Sequence, residues 1–204
     1  SDLQAFLWVV GADGNSNRPV DVQPIFDVPV WSPTENKLAY TVWQSSTDGY
    51  VPAGTVKYAD ITEEEIQVDT LIKEDSIIPS LAWHPDGESL TVSFPRTKER
   101  PPMLEQVDLT GKRKMLYTLE DEEPIDPEGL YTWAFISLKW SPDGKYLAHN
   151  LRMNSGSLTA DVVATGVLDV VNMQLLSLND GLKYPQCLTF SPYSEKLAYI
   201  AGAG

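Results

Sequence analysis

Apolar and polar residues alternate along this chain in short runs closed by Ser, Pro, Asp, Asn or Gly, and almost nothing follows the spacing of an amphipathic helix. The clearest run is Ser137 to Leu151, SLKWSPDGKYLAHNL. An apolar strand ends at Trp140, Ser141-Pro142-Asp143-Gly144 turns the chain, and Lys145 to Leu151 returns with alternate residues apolar. Pro142 has no amide donor to misplace, Asp143 can accept from backbone amides beyond the turn, and Gly144 tolerates the positive φ of a reversal. The stretch predicts one half-buried β-hairpin.

Close copies of it recur three times: VPVWSPTENKLAYTV (Val28 to Val42), SLAWHPDGESLTVSF (Ser80 to Phe94) and CLTFSPYSEKLAYIA (Cys187 to Ala201). Strand patterns fill the intervals. After the first hairpin come a loop at Ser45 to Gly49 and strands at Thr55–Ile61 and Ile66–Ile72, with Glu63, Glu64 and Glu65 as a solvated turn. The second unit has a basic, proline-rich loop (Pro95 to Pro102) and strands at Leu104–Leu109 and Lys114–Leu119; the third has a loop from Arg152 to Thr165 and strands at Gly166–Val171 and Gln174–Leu178. Ahead of them, Asp2–Ala12 and Arg18–Val22 form a strand pair around Asp13-Gly14-Asn15, with no hairpin copy before it. A period of about fifty residues with four strands per period points to an all-β chain, a β-propeller of four-stranded antiparallel blades. Three complete blades (about 26–75, 76–120 and 135–180) lie between a half-blade at 1–25 and another at 185–204.

Charge then narrows the partners. Fifteen Lys and Arg against 29 Asp and Glu leave −14, which repels phosphate backbones and anionic membrane surfaces. No apolar run is long enough to span a bilayer and no signal peptide is visible, so no membrane insertion is expected. Cys187 is the only cysteine, so no disulfide can form within the chain. A chain opening on Ser1 is expected to be a processed or excised piece.

The aromatic-Ser-Pro-Asp-Gly-Lys then Leu-Ala pattern resembles the TolB-type β-propeller repeat, which also occurs in the propeller domains of prolyl oligopeptidase and dipeptidyl peptidase relatives. Trp140 to Ala148 matches it in full, Trp83 to Leu90 matches with His84 in the serine place, and Trp31 and Phe190 head looser copies. The resemblance implies the fold but no single activity, since such propellers act as periplasmic interaction modules, substrate-gating domains of peptidases, and enzymes. It implies a protein-interaction or ligand-binding module, in a periplasmic or secreted setting. The rivals are the propeller portion of a larger peptidase, and a lyase or glycoside-acting enzyme whose carboxylates meet across the channel. The peptidase relatives carry their nucleophile on a separate hydrolase domain; this chain has no room for one and no Gly-x-Ser-x-Gly elbow.

Few residues are candidates for chemistry, and no catalytic residue, metal ligand or cofactor is expected. His84 takes the turn position of Ser32, Ser141 and Ser191, so it is expected to bond locally. His149 aligns with Tyr40, Val92 and Tyr199 on a return strand packed between sheets, and Cys187 aligns with Val28, Ser80 and Ser137 as a small strand residue. No His-x-Glu or HExxH spacing offers zinc ligands. The aligned Trp31, Trp83 and Trp140 are expected to pack between blades, each indole burying on the order of 150–250 Å². Trp43, Tyr50, Tyr131 and Trp133 lie outside that alignment, in or beside loops, and are the candidate binding aromatics. Leu119 to Ile136 is a long connection carrying Glu120, Asp121, Glu122, Glu123, Asp126 and Glu128. It lacks the spacing of a calcium loop, which leaves a solvated loop or an acidic rim for a basic protein partner.

The two half-blades leave open sheet edges, which proteins normally close. They can join within one chain as a four-bladed ring or between two chains as an eight-bladed homodimer, or the native protein continues beyond them. Repeats of this family favour larger rings, so the two-chain ring and the excised piece rank above the four-bladed monomer.

Overall fold

All four copies of the hairpin close on the same backbone bond: Ser32 N–H to Lys37 O at 2.7 Å, His84 to Ser89 at 2.9 Å, Ser141 to Tyr146 at 2.8 Å and Ser191 to Lys196 at 2.8 Å. Inside the two Asp-Gly turns, Gly87 and Gly144 sit at φ 75° and 71°, a region an L side chain rarely adopts. The turn chemistry read from the sequence is therefore what shapes each hairpin. The computed structural model describes residues 5–25, 27–46, 49–74, 76–97, 100–119, 132–154, 161–178 and 183–202. Every element among them is a strand, and none is a helix long and apolar enough to cross a membrane. The chain divides into two units, Ser1–Ile78 and Pro79–Gly204.

In the first unit, β1 (Trp8–Val9) and β2 (Arg18–Pro19) form a two-stranded antiparallel sheet, the N-terminal half-blade. The first blade follows in the order β3 (Val30–Trp31), β4 (Lys37–Ser46), β5 (Gly49–Ile61), β6 (Ile66–Glu74). Pro24 and Pro29 have no amide to donate, which reduces the innermost strand to Val30–Trp31 and a single bridge, Ile25 to Val42. Alternate residues of β4 face the half-blade, so Leu38, Tyr40 and Val42 join Leu7, Val20 and Ala59 in one apolar cluster. The loop expected at Ser45 to Gly49 is shorter than its composition implied. Ser45 pairs with Tyr50 and Ser46 with Gly49, because backbone pairing carries on where the side-chain pattern turns polar.

The second unit holds the second blade, β7 (Leu81–Trp83), β8 (Ser89–Phe94), β9 (Met103–Asp108) and β10 (Arg113–Thr118), and the third, β11 (Thr132–Trp140), β12 (Tyr146–Asn154), β13 (Asp161–Asp169) and β14 (Gln174–Ser177). A C-terminal hairpin, β15 (Lys183–Phe190) with β16 (Leu197–Gly202), ends the described chain. As in the first blade, strands intrude on an expected loop: β12 and β13 run to Asn154 and from Asp161. Ser137 and Cys187, expected as plain strand residues, sit at φ 56° beside register shifts in β11 and β15, an equivalent bulge in two repeats.

The sheets of this unit pack face to face. Ala82, Leu104 and Leu116 from the second blade meet Phe135, Leu138, Leu147, Leu151 and Leu168 from the third. Trp140 spans the same gap: its Nε1–H donates to Thr91 Oγ1 on β8 at 3.0 Å, and its ring meets the His84 ring edge-on at 4.7 Å. One face further on, Ala148 and Val167 of the third blade pack with Leu188 and Phe190 of the hairpin. Trp140 is thus the inter-blade wedge expected of it, and Trp83 is buried. Trp31 departs from that expectation, with 54% of its surface exposed. Among the described residues the sheet ahead of it is the two-stranded β1–β2.

Candidate functional site

The polar residues of the repeat are bound up in its turns. Ser141 Oγ donates to Asp143 Oδ1 at 2.7 Å and accepts from Tyr146 N–H at 2.9 Å, while Lys145 Nζ lies 2.8 Å from Asp143 Oδ2. Those partners, Lys145 first and then Ser141, hold the Asp143 carboxyl down to about 2. In the second blade, His84 Nδ1 stands 2.8 Å from Asp86 Oδ2. Burial alone would raise the Asp86 carboxyl, but the Glu88 amide and His84 outweigh it and hold it below its ordinary value. The other edge of the His84 ring covers the third blade's turn, where a Cβ on Gly144 would come within 2.8 Å of Nε2. His84 therefore does the local bonding expected of it and also joins two blades.

His149 lies where the alignment put it, between the second and third blades and 3% exposed. Its ring meets Phe135 edge-on at 4.8 Å and lies over Gly166, whose missing side chain makes room for it. Among the described residues neither ring nitrogen has a hydrogen-bond partner. Burial pushes the imidazole down to about 4, so it stays neutral at ordinary pH.

A half-buried ionic cluster with no signal in the sequence pattern lies in the first unit. Asp21, just past β2, accepts from Tyr40 O–H at 2.9 Å and Lys57 Nζ at 2.7 Å through one oxygen, and from Gln23 N–H at 3.0 Å through the other. Burial would raise the Asp21 carboxyl, yet Lys57, the Gln23 amide and Tyr40 together hold it below its ordinary value. Burial, then Asp21, pushes the Tyr40 phenol up. The cluster clips the half-blade onto the first blade, and neither Tyr40 nor Lys57 is left free to act on a substrate.

Beside it lies an open groove of about 930 Å³ whose walls include Leu7, Trp8, Val9, Arg18, Trp31 and Glu63. Trp8 is 54% exposed, and Arg18 is turned into the wall by donating to the carbonyls of Thr62 at 2.6 Å and Glu63 at 3.1 Å. The repeat gives no sign of this groove, because Trp31 shares its motif with Trp83 and Trp140.

Three of the four candidate binding aromatics fall on strands. Trp43 is on β4 opposite Pro52 and Tyr50 on β5 opposite Ser45, so one hairpin end carries both. Trp133, expected in or beside a loop, belongs to β11 and pairs with Met153. Tyr131 and the acidic Glu120, Asp121, Glu122, Glu123, Asp126 and Glu128 lie outside the described residues. Among the described residues, no three His, Cys, Asp or Glu side chains are grouped to hold a metal ion.

Repeated four-stranded antiparallel sheets with an aromatic wedge between them define the class: these are the blades of a β-propeller. No protein-family model matches the sequence and no curated protein matches it. Among solved structures the chain is similar to puromycin hydrolase, with a TM-score of 0.64 and 20% identity over 94% of this chain and 28% of that one. It is also similar to TolB from Acinetobacter baumannii (TM-score 0.43, 16% identity, 85% and 48% covered) and to the tricorn protease (0.47, 12%, 95% and 22%). The chain thus spans less than a third of the puromycin hydrolase it matches. The β-propeller fold expected from the Ser-Pro-Asp-Gly repeat is the fold that the chain shares with puromycin hydrolase.

Proposed function

We propose that the chain is a binding section of a β-propeller that holds a partner at its loop-bearing strand ends and performs no chemistry of its own. One observation carries this reading: the repeat's reactive side chains are spent on the fold. Ser141, Asp143, His84 and Asp86 tie the turns, and His149 is sealed between blades. Recognition is assigned to the aromatic set Trp43, Tyr50, Tyr131 and Trp133 with the acidic connection from Glu120 to Glu128. The net charge of −14 favours a basic protein partner. To test it, association of a lysine-rich peptide with the purified chain is measured at low and high salt. Changing Glu120, Asp121, Glu122 and Glu123 to their amides is expected to slow association about tenfold at low salt and flatten its salt dependence, leaving the melting temperature unchanged. An unaltered on-rate removes this connection from the binding surface.

A second reading is supported by the likeness to puromycin hydrolase: the chain as the blade section of a larger amide-cleaving enzyme, where it gates substrate to a catalytic domain encoded elsewhere in the same protein. The two readings separate on the native reading frame. Turnover of puromycin by the full natural product, but not by these 204 residues, favours the second. The TolB resemblance favours a periplasmic or secreted setting, which cell fractionation tests.

A further inference from the structure

His149 is sealed into the contact between the second and third blades, yet adds no hydrogen bond to it. On β12 it alternates with Leu147 and Leu151, and both leucines belong to the cluster that joins the two sheets. Phe135 of β11 closes one side of the ring, and Gly166 of β13 lies so close that an added Cβ would come within 3.1 Å of Cε1 and Nε2. A neutral imidazole offers one donor and one acceptor, and among the described residues neither is used. The ring fills space and does nothing else there.

A proton on this ring would meet no counter-charge. Among the described residues, the titratable side chains on the second blade's side of the contact are Tyr117 and Lys114 of β10, with His84 and Asp86 in the β7–β8 turn. Tyr117 stands edge-on to Phe135 at 6.0 Å, Lys114 is exposed opposite Gln106, and His84 is engaged with Asp86 and Trp140 at the turn end. The third blade's own strands present Phe135, Leu147, Leu151 and Leu168, none of them ionisable. Burial is what acts on the imidazole's ionisation. The same cluster holds Phe135 on β11 and is packed by Leu119, just past β10, and these two stand on either side of the acidic connection Glu120 to Glu128.

We propose that this contact is an acid-operated latch: a proton on His149 parts the second and third blades locally, and so releases Leu119 and Phe135 from the cluster that holds them. The closed contact cannot keep an unpaired charge, whereas the opened one gives the ring to water. The closed ring takes its proton at about 4 and an opened ring near its ordinary 6.5, so the latch holds above pH 6.5, loosens as pH falls through that window and levels off below it. Local openings of this kind cost less than unfolding the whole chain. Use of the latch to weaken partner binding in acid rests on the binding role of the connection; the opening itself does not.

Amide hydrogen exchange on the full chain, corrected for the intrinsic rate at each pH, tests the latch. Between pH 7 and pH 5 the opened population is expected to grow about twentyfold, and protection in β11 and β12 to fall by that factor. His149→Val is expected to abolish this fall, while β4 and β5 of the first unit change alike in both proteins; His149→Leu gives the same contrast should the valine variant not fold. Equal losses in wild type and variant overturn the role of His149, and a loss spread evenly over both units overturns a local latch. Neither result depends on whether a lysine-rich peptide binds. Where it does bind at pH 7, a larger loss of affinity at pH 5 in the wild type than in His149→Val is expected, and equal losses overturn the regulatory use.

Discussion

Lowering the pH should loosen the contact between the second and third blades through His149. With the folded imidazole at about 4 and its ordinary value near 6.5, the neutral ring suits both folded and unfolded chains above pH 6.5, and the group adds no pH dependence there. As pH falls from 6.5 to 4 the unfolded chain takes up a proton that the folded chain refuses, so stability is lost across that window and levels off below it. At about 1.4 kcal/mol per unit, the loss from this one group reaches about 2 kcal/mol at pH 5 and about 3 kcal/mol at pH 4. Between pH 7 and pH 5 the carboxylates held low, Asp21 and Asp143, stay ionised, and comparison with a variant that lacks the imidazole isolates its contribution. His149→Val, the residue that Val92 supplies at the same repeat position, removes the titration. Urea unfolding followed by tryptophan fluorescence gives the free energy at each pH. The wild type is expected to lose about 2 kcal/mol more than the variant between pH 7 and pH 5. Equal losses would refute the burial argument.

Three more outcomes follow from the packing. Trp140→Ala is expected to cost about 3 kcal/mol in chemical denaturation, since the indole fills the gap between blades and bonds to Thr91, whereas Trp31→Ala in a single-chain particle should cost under about 1 kcal/mol; equal costs would contradict the wedge. Asp21→Ala strands Lys57 and the Tyr40 hydroxyl and should cost about 3 kcal/mol, and a double-mutant cycle of Asp21→Asn with Tyr40→Phe should show a coupling of about 1 kcal/mol, while additivity would place the clip elsewhere. Gly144→Ala combines a φ of 71° with a Cβ set against the His84 ring and should cost at least about 1 kcal/mol; a neutral midpoint would mean the turn is not held as described.

Blade identity was legible because it rests on local chemistry. Asp143 and Gly144 make a turn by themselves, and Leu147, His149 and Leu151 alternate onto one face without help from distant residues. What stayed hidden depends on neighbours. Trp31 carries the same motif as Trp140, yet its exposure depends on what packs against it, a fact outside its own repeat. Asp21 read as one polar residue near a turn, and only the approach of Tyr40 and Lys57 across the sheet makes it an anchor. The left-handed backbone at Ser137 and Cys187 carries no glycine signal, so the bulges were not foreseen. The blade ends of β4 and β5 outran the apolar pattern because the ladder is made by backbone groups that any side chain leaves intact. For the site the sequence offered residue types, aromatic and acidic, and no arrangement.

Whether the repeat's serines, aspartates and histidines do chemistry is decided most directly by incubating the purified chain with puromycin and a panel of aminoacyl and peptidyl arylamides, with Ser141→Ala and His84→Ala alongside. Release of amine at the buffer rate in all three proteins is the predicted result. Turnover by the wild type that either substitution abolishes, with the fold retained, would contradict the assignment of those side chains to turns and blade packing, and with it the reading of the chain as a binding section.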